Sequence, residues 1–305
     1  MARSNEGRRS VSGVLLLDKP AGITSQTAVS RAKALLRAIK AGHTGTLDPM
    51  ATGLLPLMFG EATKFSQSLL TADKAYIARI RFGLTTTTGD LEGDVLSRSP
   101  VRPDPQAIPG VLARFRGEIE QMPPMFSALK HAGRPLYEYA RAGTTVQRDV
   151  RRITIHSLAL MEAAGDDIVV EVHCSKGTYI RVLAEDIGRA LGCGACLAGL
   201  RRTRVGPFKV EQAITLDELH ALPDPARPER LQPIDVILSD LPCLVLDDEQ
   251  SRHIGHGRPI EAPTPVPSGL VRLYGLGAGF LGLARAGATG RIEPCRLVAP
   301  TPRIG

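Results

Sequence analysis

A chain of 305 residues with 43% hydrophobic content can fill one large core and a small second one, which excludes a disordered or fibrous protein. A formal charge of +7 favours a polyanionic partner, although a soluble basic protein without one carries the same bulk charge. Five cysteines, an odd number, give no disulfide framework, and no apolar run approaches the ~18 residues of a membrane span.

Residues 1–10 are polar and basic and read as a flexible arm. No apolar stretch of signal-peptide length follows them, so a cytoplasmic protein is expected. Val14 to Leu17 reads as a strand. Ser25 to Lys40 reads as a helix capped by Ser25, with Val29, Ala32, Leu36 and Ile39 on one apolar face and basic residues on the other. The segment 42–53 breaks the pattern. Its one carboxylate, Asp48, stands among His43, three glycines (Gly42, Gly45, Gly53) and Pro49, with the apolar run Leu54 to Met58 behind it. Glycines allow close approach of a ligand and Pro49 stiffens the backbone at Asp48, so the loop presents a carboxylate; a plain Asp-Pro turn is the bland alternative.

Tyr76 to Phe82 and Ile168 to Cys174 alternate as strands, with Ile168, Val170 and Val172 pointing one way. Between them, residues 122–152 form a segment of prolines, glycines and charge, longer than an ordinary connection. From Ser127 to Arg152 it holds six basic residues (Lys130, Arg134, Arg141, Arg148, Arg151, Arg152) against Glu138 and Asp149, which marks it for phosphate contacts. If Thr178 caps the helix after the second strand, Arg181 lies in its first turn, where the helix dipole disfavours a cation unless an anion faces it; a solvated surface arginine is the alternative.

Cys193 and Cys196 have metal-site spacing but no second pair nearby, and His253 and His256 lie far away, so buried inert thiols are expected rather than a metal site. Thr215 to Glu218 is a capping box, Pro223 to Pro228 a linker, and residues 241–305 a small β unit with strands at Leu270–Tyr274 and Phe280–Ala284. Gly277 to Gly282 matches a dinucleotide fingerprint by letters only; a hairpin turn fits the space better. Strands and helices mix without a βαβ rhythm, which predicts an α+β fold.

The segment around Asp48, together with Gly13 to Pro20, Gly60 to Lys64 with Lys74 to Tyr76, Cys174 to Arg181, and Leu200 to Arg202, resembles the TruB-type tRNA pseudouridine synthases in order and spacing over roughly residues 11–215. The resemblance implies a mixed, mainly antiparallel sheet with flanking helices in a catalytic domain of residues 11–240. It further implies a thumb-like RNA-binding insertion at 122–152 and a PUA-like RNA-binding domain at 241–305. It implies cofactor-free isomerisation of uridine 55 in the tRNA T stem-loop. Asp48 would act at ribose carbon 1′, either by attack or by proton removal to a glycal, held by Arg181, while Tyr76 stacks on the uracil or relays a proton.

Substrate contacts are expected from His43, which would fill the gap left by flipped bases, and from Asp90, Tyr179 and Leu200, the last an apolar wall of the pocket. Lys19, Lys64 and Lys130 are expected on phosphates. In Thr86 to Asp90 the family's usual acid is replaced by Thr87, which touches the RNA contacts of that loop. A monomer with no membrane and no obligate protein partner is expected. A guide-RNA-dependent synthase and a non-catalytic RNA-binding or RNA-folding module stand as rival readings; the long basic insertion speaks against the first.

Overall fold

The computed structural model describes residues 7–277 and 279–299. It opens with β1 (Gly13–Lys19), α1 (Ser25–Leu35), β2 (Ala41–His43) and β3 (Thr52–Phe59). Strands β1 and β3 are antiparallel partners, and β2 pairs with β3 on an outer branch. Leu15, Leu17, Leu55, Leu57 and Phe59 enter one core, while Val14, Leu16, Leu54 and Met58 enter a second on the opposite face. Burial on both faces removes any need for alternation, which is why these segments read as unbroken apolar runs.

A 3-10 helix (Gly60–Phe65) and α2 (Ser66–Thr71) lead to β4 (Lys74–Phe82), a hairpin of β5 (Leu84–Thr86) and β6 (Val95–Arg98), α3 (Ile108–Arg114) and β7 (Gly117–Gln121). The basic insertion folds as two short strands, β8 (Lys130–His131) and β9 (Arg134–Pro135), and α4 (Leu136–Arg141). Then come β10 (Arg151–Ala164), β11 (Asp167–Cys174), α5 (Ile180–Ala190), β12 (Ala195–Val205), β13 (Phe208–Lys209), β14 (Ile214–Thr215) and α6 (Leu216–Ala221). The principal sheet runs β14-β1-β3-β12-β4-β11-β10-β7. Its pairs are antiparallel except β1 with β14 and β3 with β12. In β4 the alternate residues Tyr76, Ala78, Ile80 and Phe82 are buried against α5, whose Ile180, Leu183, Ala184 and Ile187 share their core. The architecture is α+β.

The remaining elements are β15 (Cys243–Leu246), α7 (Asp248–Gly255), β16 (Ile260–Glu261), β17 (Gly269–Gly275), β18 (Gly279–Ala286) and β19 (Arg291–Leu297). They build a five-stranded sheet, β15-β17-β18-β19-β16, with its own core. Phe280 stacks edge-on against Phe65 at 5.6 Å, and Leu283 joins the second core of the large sheet, so the two sheets share apolar surface. The glycine-rich 277–282 segment lies at the β17–β18 hairpin; Ala278 itself lies outside the described residues.

Several expectations need correction. Helix α1 is capped by Thr24, whose hydroxyl accepts from Thr27 N at 3.0 Å, because the buried Ser25 hydroxyl is engaged elsewhere. It ends at Leu35; Arg37 adopts φ 52 and Ile39 is 43% exposed, off the apolar face. Thr178 does not cap α5: Tyr179 occupies the cap position and Thr178 Oγ1 donates to Ser175 O at 3.0 Å. The linker at 223–228 is instead a 3-10 helix (Asp224–Arg230), fastened by Arg227 to the Leu35, His220 and Leu222 carbonyls. Arg9 pairs with Asp224 and bridges Ala38, so that part of the basic arm is tied down; residues 1–6 lie outside the described residues. The Thr215 capping box is present, with Thr215 Oγ1 accepting from Glu218 N at 3.1 Å and Glu218 Oε2 accepting from Thr215 N at 2.8 Å.

Candidate active site

The loop carrying Asp48 joins β2 to β3 and is fastened from four sides. Ser25 Oγ accepts from Leu47 N at 2.8 Å and donates to Leu47 O at 3.0 Å. Lys19 Nζ donates to Pro20 O (2.8 Å), Ile23 O (2.7 Å) and Pro49 O (3.3 Å). Gly22 N donates to Pro49 O at 2.9 Å, and Arg202 Nη2 donates to Gly45 O at 3.1 Å. At the loop's exit the parallel β3–β12 contact sets Gly53 beside Arg202. A Cβ there would lie 2.3 Å from Arg202 O, and φ is 99, so glycine is required by contact as well as by conformation.

Asp48 keeps 35% of its side chain open, while Arg181, from the first turn of α5, is buried behind it. Arg181 Nε lies 2.9 Å from Asp48 Oδ2 and Nη2 lies 3.4 Å from Oδ1, a two-point grip that fixes the carboxylate plane. The rest of the guanidinium donates to Thr88 O and Phe126 O, each at 2.7 Å. Asp90 Oδ2 faces Nε at 3.7 Å. One cation thus collects the Asp48 loop, the β5–β6 loop and the root of the basic insertion. Burial pushes the Asp48 carboxyl above its ordinary range; Arg181 opposes this and the neighbouring Asp90 adds to it.

On the adjoining strands Tyr76 is 8% exposed and Arg202 1%, and the two are direct cross-strand partners between β4 and β12. Arg202 Nε donates to Leu54 O at 2.7 Å. Burial raises the Tyr76 phenol above its ordinary value, and Arg202 counters that shift. Lys74, also buried, gives its ammonium to the Leu69, Leu70 and Ala72 carbonyls and is brought down to about 8, mainly by burial. His43, on β2, has a buried Nδ1 without a partner among the described residues; burial, and to a lesser degree Arg202, lower its pKa and so favour the neutral ring.

A presented carboxylate gripped by an arginine above a buried phenol is an arrangement for covalent or proton chemistry on an electrophilic carbon. The family model described as TruB family pseudouridylate synthase (N terminal domain) matches residues 33–180, and two TruB C-terminal models match 181–239 and 242–298. A protein named tRNA pseudouridine synthase B from Aromatoleum aromaticum is 55% identical over 292 residues, covering 96% of this chain and 94% of that one. The chain belongs to the TruB family. A Burkholderia mallei relative of the same name is 55% identical over 302 residues, covering 97% of each. Among solved structures, that of a Cbf5-Nop10-Gar1 complex shares 30% identity at a TM-score of 0.72, covering 98% of this chain and 88% of that one. That of an H/ACA RNP bound to a substrate RNA containing 2'-deoxyuridine shares 28% at 0.71, covering 96% and 86%. The pseudouridine synthase fold of TruB enzymes is therefore that of this chain.

Within this TruB fold Asp48, Arg181 and Asp90 meet, Tyr76 and His43 both lie near Arg202, and three of the expected contact residues have partners within the chain. Lys19 has no exposed surface and spends its three N–H groups on carbonyls, so it pins the loop instead of reaching a phosphate; burial brings its pKa down to about 8. Lys64 pairs with Glu61 at 2.6 Å and donates to Leu297 O at 3.0 Å, joining the two sheets. Asp90 is 3% exposed and accepts from Thr88 Oγ1 and from Glu92 N at 3.1 Å, so it buttresses Arg181 rather than facing solvent. Lys130 is exposed on β8. Tyr179 is half-buried; Gln121 grips its backbone, accepting from Tyr179 N at 2.8 Å and donating to Tyr179 O at 3.1 Å. Leu200 is half-buried on β12 beside the first core. Thr87 Oγ1 accepts from Asp94 N at 3.1 Å.

From the sequence Arg202, Lys74 and Gln121 carry no role of their own, and Ser25 reads only as a helix cap. A signal for Arg202 and Lys74 was present: each is a charge at a buried position of a central strand, where only a functional or bridging side chain is expected.

Proposed function

We propose that the protein converts uridine 55 of the tRNA T stem-loop to pseudouridine, without cofactor or guide RNA. The two-point Arg181–Asp48 grip carries this reading. The reaction breaks the bond from ribose carbon 1′ to N1, turns the uracil and rejoins it through C5. Asp48, kept ionised by Arg181 as RNA excludes water, acts at the sugar, either attacking carbon 1′ or removing a ribose proton. Tyr76 stacks on the flipped uracil and takes the C5 proton, with Leu200 and Tyr179 as walls, and neutral His43 fills the space the extruded base leaves.

Residues 11–240 form the catalytic domain and 241–305 a small PUA-like RNA-binding domain. The insertion at 122–152 closes as a thumb on phosphates through exposed residues such as Lys130 and Arg141, its root already bonded to Arg181 through Phe126 O. The names and near full-length coverage of the relatives support tRNA as substrate, and we expect a cytoplasmic monomer. A guide-RNA-dependent synthase is the rival reading, since the chain is also similar to a protein solved in a Cbf5-Nop10-Gar1 complex. One experiment separates the two: tritium release from a T stem-loop labelled at uridine C5, with no other RNA or protein added. Wild type releases label from position 55 and Asp48→Asn binds the RNA without release. Equal turnover by Asp48→Asn refutes the carboxylate's role, and silence of wild type favours the guide-dependent enzyme.

A further inference from the structure

Buried charges are ordinarily matched by opposite charge. Among the described residues Arg202 is matched by none: its guanidinium holds the Leu54 and Gly45 carbonyls, and the Tyr76 hydroxyl is its other polar neighbour. Clamping two carbonyls requires N–H donors but no charge, so the charge needs another reason. Strand register supplies it. Arg202 and Tyr76 stand directly opposite on antiparallel β12 and β4, side chains on one face, and Asp48 is within electrostatic range of the phenol. Of the groups facing the phenol, Cys174 from β11 and Asp48 from the loop both disfavour its ionised form, as does burial; Arg202 from β12 is the one that favours it.

We propose that Arg202 is a positioning residue for Tyr76: it directs the phenol oxygen and supplies the buried positive charge against which that oxygen accepts a proton. The proposal rests on the reading of Tyr76 as the group that takes the C5 proton. In that step the uracil has rejoined carbon 1′ through C5, which still carries its hydrogen. The Tyr76 phenol first gives its own proton to water, a loss that Arg202 favours. The phenolate oxygen then takes the C5 proton, the C5–H electron pair becomes the C5=C6 double bond, and the C6=N1 pair moves onto N1, which is protonated from water. Tyr76 ends as the neutral phenol from which it began.

The test replaces all five tyrosines with 3,5-difluorotyrosine, whose more acidic phenols titrate where the protein stays folded, and follows them by fluorine NMR. The Tyr76 signal is the one missing in Tyr76→Phe. Arg202→Gln keeps donors for the carbonyls and removes the charge; Arg202→Lys keeps the charge and removes the fork. We expect Arg202→Gln to raise the Tyr76 titration by about one pH unit or more. Its single-turnover rate should fall about tenfold, with unchanged affinity for the T stem-loop, and Arg202→Lys should restore most of both. Superimposable Tyr76 titrations in wild type and Arg202→Gln would leave Arg202 a clamp and overturn the proposal. If Arg202→Gln does not fold, Arg202→Lys decides: a Tyr76 titration near wild type supports the charge role, and one shifted upward with the ammonium still present overturns it. Undiminished turnover by Tyr76→Phe sinks the reading of Tyr76 as base, and the titrations still report the pairing separately.

Discussion

Replacing Arg181 by Met should change the pH dependence of turnover as well as its size. With the guanidinium and carboxylate centres about 4 Å apart and an effective dielectric near 20, the attraction is worth about 4 kcal/mol. With 35% of the Asp48 side chain open to water, solvent screening reduces this to about 2 kcal/mol, or roughly 1.5 pH units. Without Arg181, burial and Asp90 are opposed by the weaker effect of Lys19, so the carboxyl titrates higher still. The acting form is the ionised one, so the acid limb of the rate profile moves up by about 1.5 units. The deficit of Arg181→Met therefore deepens as pH falls and shrinks as it rises. The assay is single-turnover tritium release between about pH 5.5 and 9, with circular dichroism confirming a folded variant at each point. The variant also strands the Thr88 and Phe126 carbonyls, so a loss of about 3 kcal/mol of stability is expected and the assay runs well below its melting temperature. A constant ratio of wild-type to variant rates across the range refutes the electrostatic account.

Further outcomes follow from the neighbouring contacts. Lys19→Met should weaken folding and leave RNA affinity alone. Because the folded pKa of Lys19, about 8, lies below its ordinary 10.5, the unfolded chain binds more protons between those values and wild type gains stability as pH rises through them. Urea unfolding at pH 7.5 and 10.5 should show wild type gaining about 3 kcal/mol relative to the variant, and an unchanged gap would contradict the burial of that charge. Asp90→Asn should move the acid limb down, opposite to Arg181→Met, without altering affinity; weaker RNA binding alone would restore Asp90 as a substrate contact. The salt dependence of T stem-loop affinity should keep its slope in Lys64→Met and lose about 0.7 to 0.9 in Lys130→Met, and the reverse pattern would return Lys64 to the phosphates.

The strands that line the site were legible because one of their faces is open: β4 and β11 alternate in sequence as they do in burial. The loop could be read from the concentration of glycine, proline and a single acid. Long-range partnerships were not legible. Lys19 looks like any lysine after an apolar strand until residues 23 and 49 bring carbonyls around it. Asp90 reads as a substrate contact because nothing local shows that Arg181 of α5 will lie against it. Ser25 resembled a cap since helix starts favour serine, but its hydroxyl holds a segment 22 residues away. Pairing across the sheet is fixed by register, which local composition does not encode.

The union of β3 with β12 also sets an order in time. Arg202 closes on the Leu54 carbonyl across 148 positions of chain. At synthesis rates of about 5 to 20 residues per second, the loop bearing Asp48 waits roughly 7 to 30 s before its buried guanidinium is made, and Arg181 is made only about 1 to 4 s sooner. Until then the nascent chain holds the carboxylate without the arginine that grips it or the one beneath it. A chain halted before β12 should thus leave the ribosome with its first strands formed and its chemistry unassembled, so that competence arrives as a late event of folding rather than growing with the chain.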